Sequence, residues 1–212
     1  MRSFRHWTPR YAVDRMQLAL YQHAHPEMPW LCRDAIGILD SWVKPTDRAL
    51  EWGTGRSTVW FASRVAHLIS VEHNPTWGES VSQELDRCGL ASRVDLRVLP
   101  DGVEEKPDSR YVSVAKDIAP GTLDLCLVDG VSRDHCVLAC LKKLKPGGLL
   151  VVDNINKYIP RRPKSRAPNS RGPEDGCVSS QWAEFVEATK NWRCIWITNG
   201  VWDTALWVTP AS

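Results

Sequence analysis

The sequence predicts an α/β fold: a mostly parallel sheet with helices on both faces and a closing antiparallel hairpin. Three observations carry this. After Pro45, short apolar stretches alternate with helix-length amphipathic segments, the texture of right-handed strand–helix–strand crossovers. The stretch "ALEWGTGRSTVWFA", residues 49–62, breaks an apolar strand into a glycine turn and then a helix. Near the C-terminal end, "WRCIWIT" and "ALWVTP" are joined by "NGVWD", which is too short for a crossover helix, so these two strands pair antiparallel.

The elements follow in order. Residues 10–23 and 31–43 carry apolar residues at helical spacing, separated by the breaker "HPEMP", and read as an N-terminal helical cap within residues 1–44. The main domain, 45–212, opens with strand "RALEWG", helix "STVWFASRVA", strand "HLISVEH", helix "WGESVSQELDRCG" and strand "VDLRVLP". Strand "LDLCLVDG", helix "DHCVLACLKKL" and strand "GGLLVVDN" continue it, and helix "SSQWAEFVEATKN" precedes the hairpin. No internal repeat is visible.

Composition narrows the function classes. With 212 residues, 43% of them hydrophobic, the chain can bury one substantial core. Its 27 basic and 25 acidic residues leave a net charge of +2, so nothing global points to nucleic acid or a membrane surface. Seven cysteines, an odd number with no C-x-x-C pair, suit reduced thiols in a cytosolic protein better than a disulfide or zinc framework. The first residues lack the apolar region of a signal peptide, and no later run is long enough to span a membrane. The expected location is cytoplasmic, and a homo-oligomer is left open.

The glycine turn is the first candidate site. Gly53 and Gly55 allow a sharp turn and close backbone approach to a ligand, with Ser57 and Thr58 placed to cap the following helix. No Gly-Lys-Ser/Thr follows, so this is not a phosphate loop, and Thr58 stands where a dinucleotide fingerprint has its third glycine. Glu72 ends the next strand, where a carboxylate accepts hydrogen bonds from a ribose diol. Glu51 adds a second acid near the turn, which favours a cationic ligand over a pyrophosphate.

"LEWGTGRS", the acid of "SVEH", "LDLCLVDG" and "LKPGGLLVVDN", in this order and spacing, resemble class I S-adenosylmethionine-dependent methyltransferases over roughly residues 45–209. The resemblance implies a Rossmann-like seven-stranded sheet whose last strand is antiparallel. It implies that Glu51, Gly53 and Gly55 surround the methionine part of S-adenosylmethionine, with Ser57 and Asp129 in the cofactor-facing set. It also implies that Glu72 holds the ribose hydroxyls, that His73 lies near the adenine and that Asp101 faces the adenine amino group.

A narrower likeness concerns the chemistry. Asp129 after the fourth strand and Asp153-Asn154 after the fifth are similar to the metal-binding acids and Asp-Asn pair of catechol and caffeoyl-coenzyme A O-methyltransferases. Hard oxygen ligands of this kind suit Mg²⁺, and a bound cation would lower the pKa of an acceptor hydroxyl. One departure stands out: the lysine general base of the catechol-type enzymes is replaced by Ser132, followed by Arg133. Arginine does not accept a proton at neutral pH, which leaves the metal alone or His135 as the activating group, with Asp129 beside it.

The proline-rich segment 157–176 carries Lys157, Arg161, Arg162, Lys164, Arg166 and Arg171. As a lid at the carboxyl edge of the sheet it would favour an anionic small-molecule acceptor, with Tyr158 in contact; the other reading is a solvated insertion. Of the eleven tryptophans, Trp7, Trp30, Trp182 and Trp202 are either aromatic faces for a sulfonium or acceptor, or packing. Two further function classes stay open: a regulatory protein that binds S-adenosylmethionine without transfer, and a nicotinamide-dependent oxidoreductase.

Overall fold

The computed structural model describes residues 8–100 and 106–211. Seven strands form one sheet in the order β3-β2-β1-β4-β5-β7-β6. They are β1 Arg48–Trp52, β2 His67–Glu72, β3 Val94–Val98, β4 Leu123–Val128, β5 Leu144–Asp153, β6 Arg193–Thr198 and β7 Asp203–Val208. β1 to β5 pair in parallel, whereas β7 runs antiparallel to both β5 and β6. The expected mostly parallel sheet and closing hairpin are both present.

The central strands are apolar on both faces because helices cover both faces. Period-two alternation sends Leu50, Trp52, Cys126, Val128, Leu150 and Val152 to one core cluster, with Tyr111, Trp182 and Phe185. The alternate residues, Ala49, Leu125, Leu127, Leu149 and Val151, meet Leu39 and Phe61 on the other face. The seven thiols are free, and Cys32, Cys126, Cys136 and Cys140 are buried. Among the described residues, no helix is long and apolar enough to cross a membrane.

The helices are α1 Pro9–Ala24, α2 Arg33–Trp42, α3 Arg56–Ala62, α4 Pro75–Arg87, α5 Arg110–Ser113, α6 Arg133–Cys140 and α7 Ser180–Ala188. Thr8, Asn74, Ser109 and Ser179 each accept a first-turn N–H as side-chain caps, and Pro9 and Pro75 begin their helices where a missing N–H costs nothing. The sequence places the end of α6 too late: Leu144 is already in β5, which pairs with β4 across an irregularity between Leu123 and Leu125. α2 buries Ala35, Ile36 and Leu39 in the main core, whereas α1 buries no residue.

Segment 157–176 is ordered by its own bonds. Pro160 bridges to Arg171, the Arg171 guanidinium donates to the carbonyls of Asp175 and Gly176, Lys164 pairs with Asp175, and Arg166 reaches Asp14 on α1. Three of its six cations, Lys164, Arg166 and Arg171, are thereby engaged within the protein. The hairpin turn is closed by the Asn199 side chain, whose oxygen accepts from the N–H groups of Val201 and Trp202 at 2.9 Å each.

Candidate functional site

In an open α/β sheet the ligand crevice lies at the carboxyl ends of strands where the order reverses, here between β1 and β4. A cavity of about 340 Å³ opens there, lined among others by Gly53, Thr54, Gly55, Ser57, Glu72, His73, Asp129 and Gly130. Its size is within the roughly 300–1,000 Å³ of small-molecule sites. Of the sequence-predicted cofactor residues, it therefore brings together Gly53, Gly55, Ser57, Glu72, His73 and Asp129. Asp101 and Trp7 lie outside the described residues.

The floor of this cavity is backbone. Gly53 has φ of +94°, and a Cβ there would lie 2.7 Å from the Gly130 nitrogen. A Cβ on Gly130 would in turn lie 2.0 Å from the Tyr111 hydroxyl. The turns after β1 and β4 thus touch through glycine alone, leaving room that a side chain would fill. Gly55 is the N-cap of α3, and its N–H donates to the Thr58 hydroxyl at 2.9 Å. Thr58, at the third helical position, caps α3; Ser57 faces the cavity.

Glu72 ties the loops together. One carboxylate oxygen accepts from the Thr54 N–H at 3.0 Å and hydroxyl at 2.9 Å; the other accepts from the N–H groups of His73 at 2.8 Å and Asn74 at 2.7 Å. His73 Nδ1 lies 2.9 Å from that second oxygen. Trp77 donates its indole N–H to the Thr54 carbonyl at 2.6 Å, and Trp30 carries Arg56 over its ring at 5.2 Å. Both tryptophans line the cavity, and Arg56 Nη1 is buried without a protein partner. Trp77 was legible as an aromatic one turn into a helix begun by Asn-Pro; Trp30 and Arg56 meet only through the fold.

Glu51 is not in the cavity wall. It is fully buried behind the turn, where one oxygen accepts from the hydroxyls of Thr58 at 2.6 Å and Ser70 at 2.7 Å. Burial pushes its carboxyl up from 4.5 to about 7, against the hydrogen bonds of Ser57, Thr58 and Ser70. An acid raised in the folded state binds its proton more tightly there than in the unfolded chain. Stability therefore falls as pH rises from 4.5 to about 7 and is level above. The difference amounts to about 3 kcal/mol. Glu51→Gln should flatten this fall, read from urea unfolding at about pH 5 and about pH 8; an unchanged slope would mean that Glu51 does not titrate in this window.

Asp129, Asp153 and Asn154 do converge at the ends of β4 and β5, but a cation of the protein lies among them. Arg133, the first residue of α6, reaches Asp129 Oδ1 at 2.9 Å and donates to the carbonyls of Asp129 at 2.7 Å, Gly130 at 2.8 Å and Asp153. Asp153 accepts from Thr204 through one oxygen and from the Asn154 amide through the other, while the Asn154 carbonyl accepts from Lys157 Nζ at 2.7 Å. Burial raises both acids; Arg133 pulls Asp129 back, and the charge of Asp129 pushes Asp153 further up. Burial, then Arg133, lowers Lys157. Ser132 (φ 47°) and Asn154 (φ 56°) adopt the left-handed conformation beside this cluster, strain of the kind that functional sites hold.

The remaining expectations fall apart from it. His135 is buried within α6 and does not line the cavity, so its helix turns it away from the strand ends. Tyr158 stacks on Trp182 at 5.0 Å and lies under Arg133 at 5.9 Å. Trp182 is core packing, and Trp202 lies at the hairpin turn.

A family model described as "Methyltransferase domain" matches residues 50–155, half of the chain and the part that builds the cavity. The chain belongs to this methyltransferase family. A catechol O-methyltransferase of Niastella koreensis is 29% identical over 119 residues, 50% of this chain and 48% of that protein. A second, from Mycobacterium tuberculosis, is 27% identical over 115 residues, 51% and 48% of the two chains. The chain thus spans about half the length of the curated relatives it matches. Among solved structures, the O-methyltransferase TomG of Streptomyces achromogenes, in complex with SAM, superposes with a TM-score of 0.60 at 22% identity, covering 92% of this chain and 89% of that one. A Corynebacterium glutamicum protein gives 0.63 at 14% identity, covering 95% and 90%. The methyltransferase domain therefore has the class I, S-adenosylmethionine-dependent fold.

The residues present can be tested against the groups this family implies. S-adenosylmethionine fits: the glycine floor, the unpartnered Arg56 Nη1 and the rings of Trp30 and Trp77 offer space, a cation and aromatic faces. A divalent cation on Asp129, Asp153 and Asn154 does not fit the arrangement. The Arg133 guanidinium, paired with Asp129 and bonded to the Asp153 carbonyl, would repel a dication at this position. Both oxygens of Asp153 and both ends of the Asn154 amide are also already engaged. No group of three or more His, Cys, Asp or Glu residues among the described residues is arranged to hold a metal.

Proposed function

We propose that this methyltransferase domain transfers the methyl group of S-adenosylmethionine to a hydroxyl of a small, anionic acceptor. The observation that carries the reading is the convergence of the β1 glycine turn, Glu72 of β2 and Gly130 after β4 on one cavity, in a chain of this family. The names of the relatives, each matched over about half its length, support oxygen as the methylated atom. When bound, the cofactor supplies an electrophilic methyl on a sulfonium. The protein's part is to hold the two reactants in line and away from water.

The residues divide accordingly. Glu72 fixes the loops of Thr54 and Asn74 and presents its carboxylate to the ribose, with Trp30 and Trp77 as aromatic walls. Asp129, at the cavity's border with Arg133, marks the acceptor end, where Lys157 and Tyr158 follow from β5. Metal assistance is left out of this proposal because of the charge already present. The free thiols support a reducing, cytoplasmic setting.

Calorimetric titration of the EDTA-treated protein with S-adenosylmethionine, and separately with NAD, tests the cofactor. Saturable binding of the first alone is expected, and its absence would refute the reading. Mass spectrometry of hydroxylated acceptors then tests transfer; binding with no methylated product across a broad panel would favour the regulatory alternative.

A further inference from the structure

Arg133 is the cation that the proposed reaction has not yet used. Three of its contacts are backbone carbonyls at the ends of β4 and β5, so the guanidinium is fixed by the sheet and not by a mobile surface partner. A guanidinium has five N–H donors. Nε serves Gly130, Nη2 serves the carbonyl and carboxylate of Asp129, and Nη1 serves Asp153, which leaves one Nη1–H without a partner among the described residues. The side chain retains 14% of its exposure and pairs with Asp129, which lines the cavity, so the guanidinium lies at the cavity's edge behind Asp129.

Resting on the methyltransferase reading above, we propose that the Arg133 guanidinium holds the place that a divalent cation holds in metal-dependent O-methyltransferases, and that it binds the acceptor as an oxyanion. The substrate class follows from the charge. A monocation with one free donor acidifies a hydroxyl less than a dication does, so the acceptor hydroxyl must itself ionise near neutral pH. Lys157, bonded to the Asn154 side chain, adds a second positive charge. An acidic phenol, which ionises near neutral pH and meets both cations as its phenolate, satisfies these conditions.

The step balances without a further reactant. The phenol releases its proton to water as it binds. A lone pair of the phenolate oxygen then forms the O–CH₃ bond while the S–CH₃ pair stays on sulfur, turning an oxyanion and a sulfonium into a neutral ether and a thioether.

The test is a Mn²⁺ titration of the EDTA-treated protein, followed by electron paramagnetic resonance of the free ion, with and without S-adenosylmethionine. The wild type should take up no Mn²⁺ at this site. Arg133→Gln, which frees Asp129 and Asp153, should gain roughly tenfold or more in Mn²⁺ affinity, and adding Asp153→Asn should remove the gain. Saturable wild-type uptake that Asp153→Asn abolishes would overturn the proposal, as would a folded Arg133→Gln protein that gains nothing. Should Arg133→Gln not fold, 4-nitrophenol serves as a second probe: the wild type should lower its apparent pKa on binding, and Arg133→Lys should reduce that shift. An unshifted pKa would count against the phenolate site. Failure of S-adenosylmethionine binding would sink the methyltransferase reading instead, while the Mn²⁺ titration of the cofactor-free protein still judges Arg133.

Discussion

Gly130→Ala should destabilise the protein by about 3 kcal/mol, the upper range for overpacking a rigid core, and abolish S-adenosylmethionine binding. The added Cβ would lie 2.0 Å from the Tyr111 hydroxyl, 2.9 Å from the Gly53 nitrogen and 3.1 Å from the Trp52 carbonyl carbon. None of these can yield: Tyr111 is fully buried, and the other two belong to the β1 turn that forms the cavity floor. The Tyr111 hydroxyl is buried with the Val131 backbone as its polar neighbour, so Tyr111→Phe alone should change stability by no more than about 1 kcal/mol. The double variant Gly130→Ala, Tyr111→Phe should recover part of the loss. Urea unfolding of the four proteins measures the cycle, and full additivity of the two changes would show that the hydroxyl is not what the methyl group meets.

Glu72 carries the second large effect. Both of its oxygens face donors only: the Thr54 N–H and hydroxyl on one side, and the N–H groups of His73 and Asn74 on the other. Glu72→Ala should weaken S-adenosylmethionine binding by about 1.5–3 kcal/mol, the range for hydrogen bonds to a charged group, or roughly tenfold to more than a hundredfold. Glu72→Gln should be nearly as damaging, because whichever way the amide is turned its NH₂ meets backbone donors. Calorimetry decides between two roles. If Gln restores affinity, the ribose contact matters more than the loop clamp; if Gln and Ala fail alike, the clamp matters more.

How much of this was legible depends on where the information lies. Short apolar stretches separated by helix-length segments give the seven strands, because a strand covered on both faces is apolar along most of its length. The glycine turn and Glu72 were readable because a turn followed by a helix is local, and the cavity does contain Gly53, Gly55, Ser57, Glu72, His73 and Asp129. Glu51, one residue before Trp52, looked equally close to the ligand. Its alternate position on β1 instead turns its carboxylate inward to Thr58 and Ser70. His135 was drawn in by proximity along the chain to Asp129, but its side of α6 is buried away from the cavity.

By itself, then, the sequence determined the order of elements, the parallel sheet with its antiparallel close, and the residues of the β1–β2 end of the site. Tertiary structure alone decided that Arg133 stands between Asp129 and Asp153 and that Tyr111 lies beneath Gly130. The physical reason is the range of the forces involved. Backbone conformation and face alternation are set by neighbours in the chain, whereas the charge of a site is the sum over groups that only sheet pairing brings within a few ångströms.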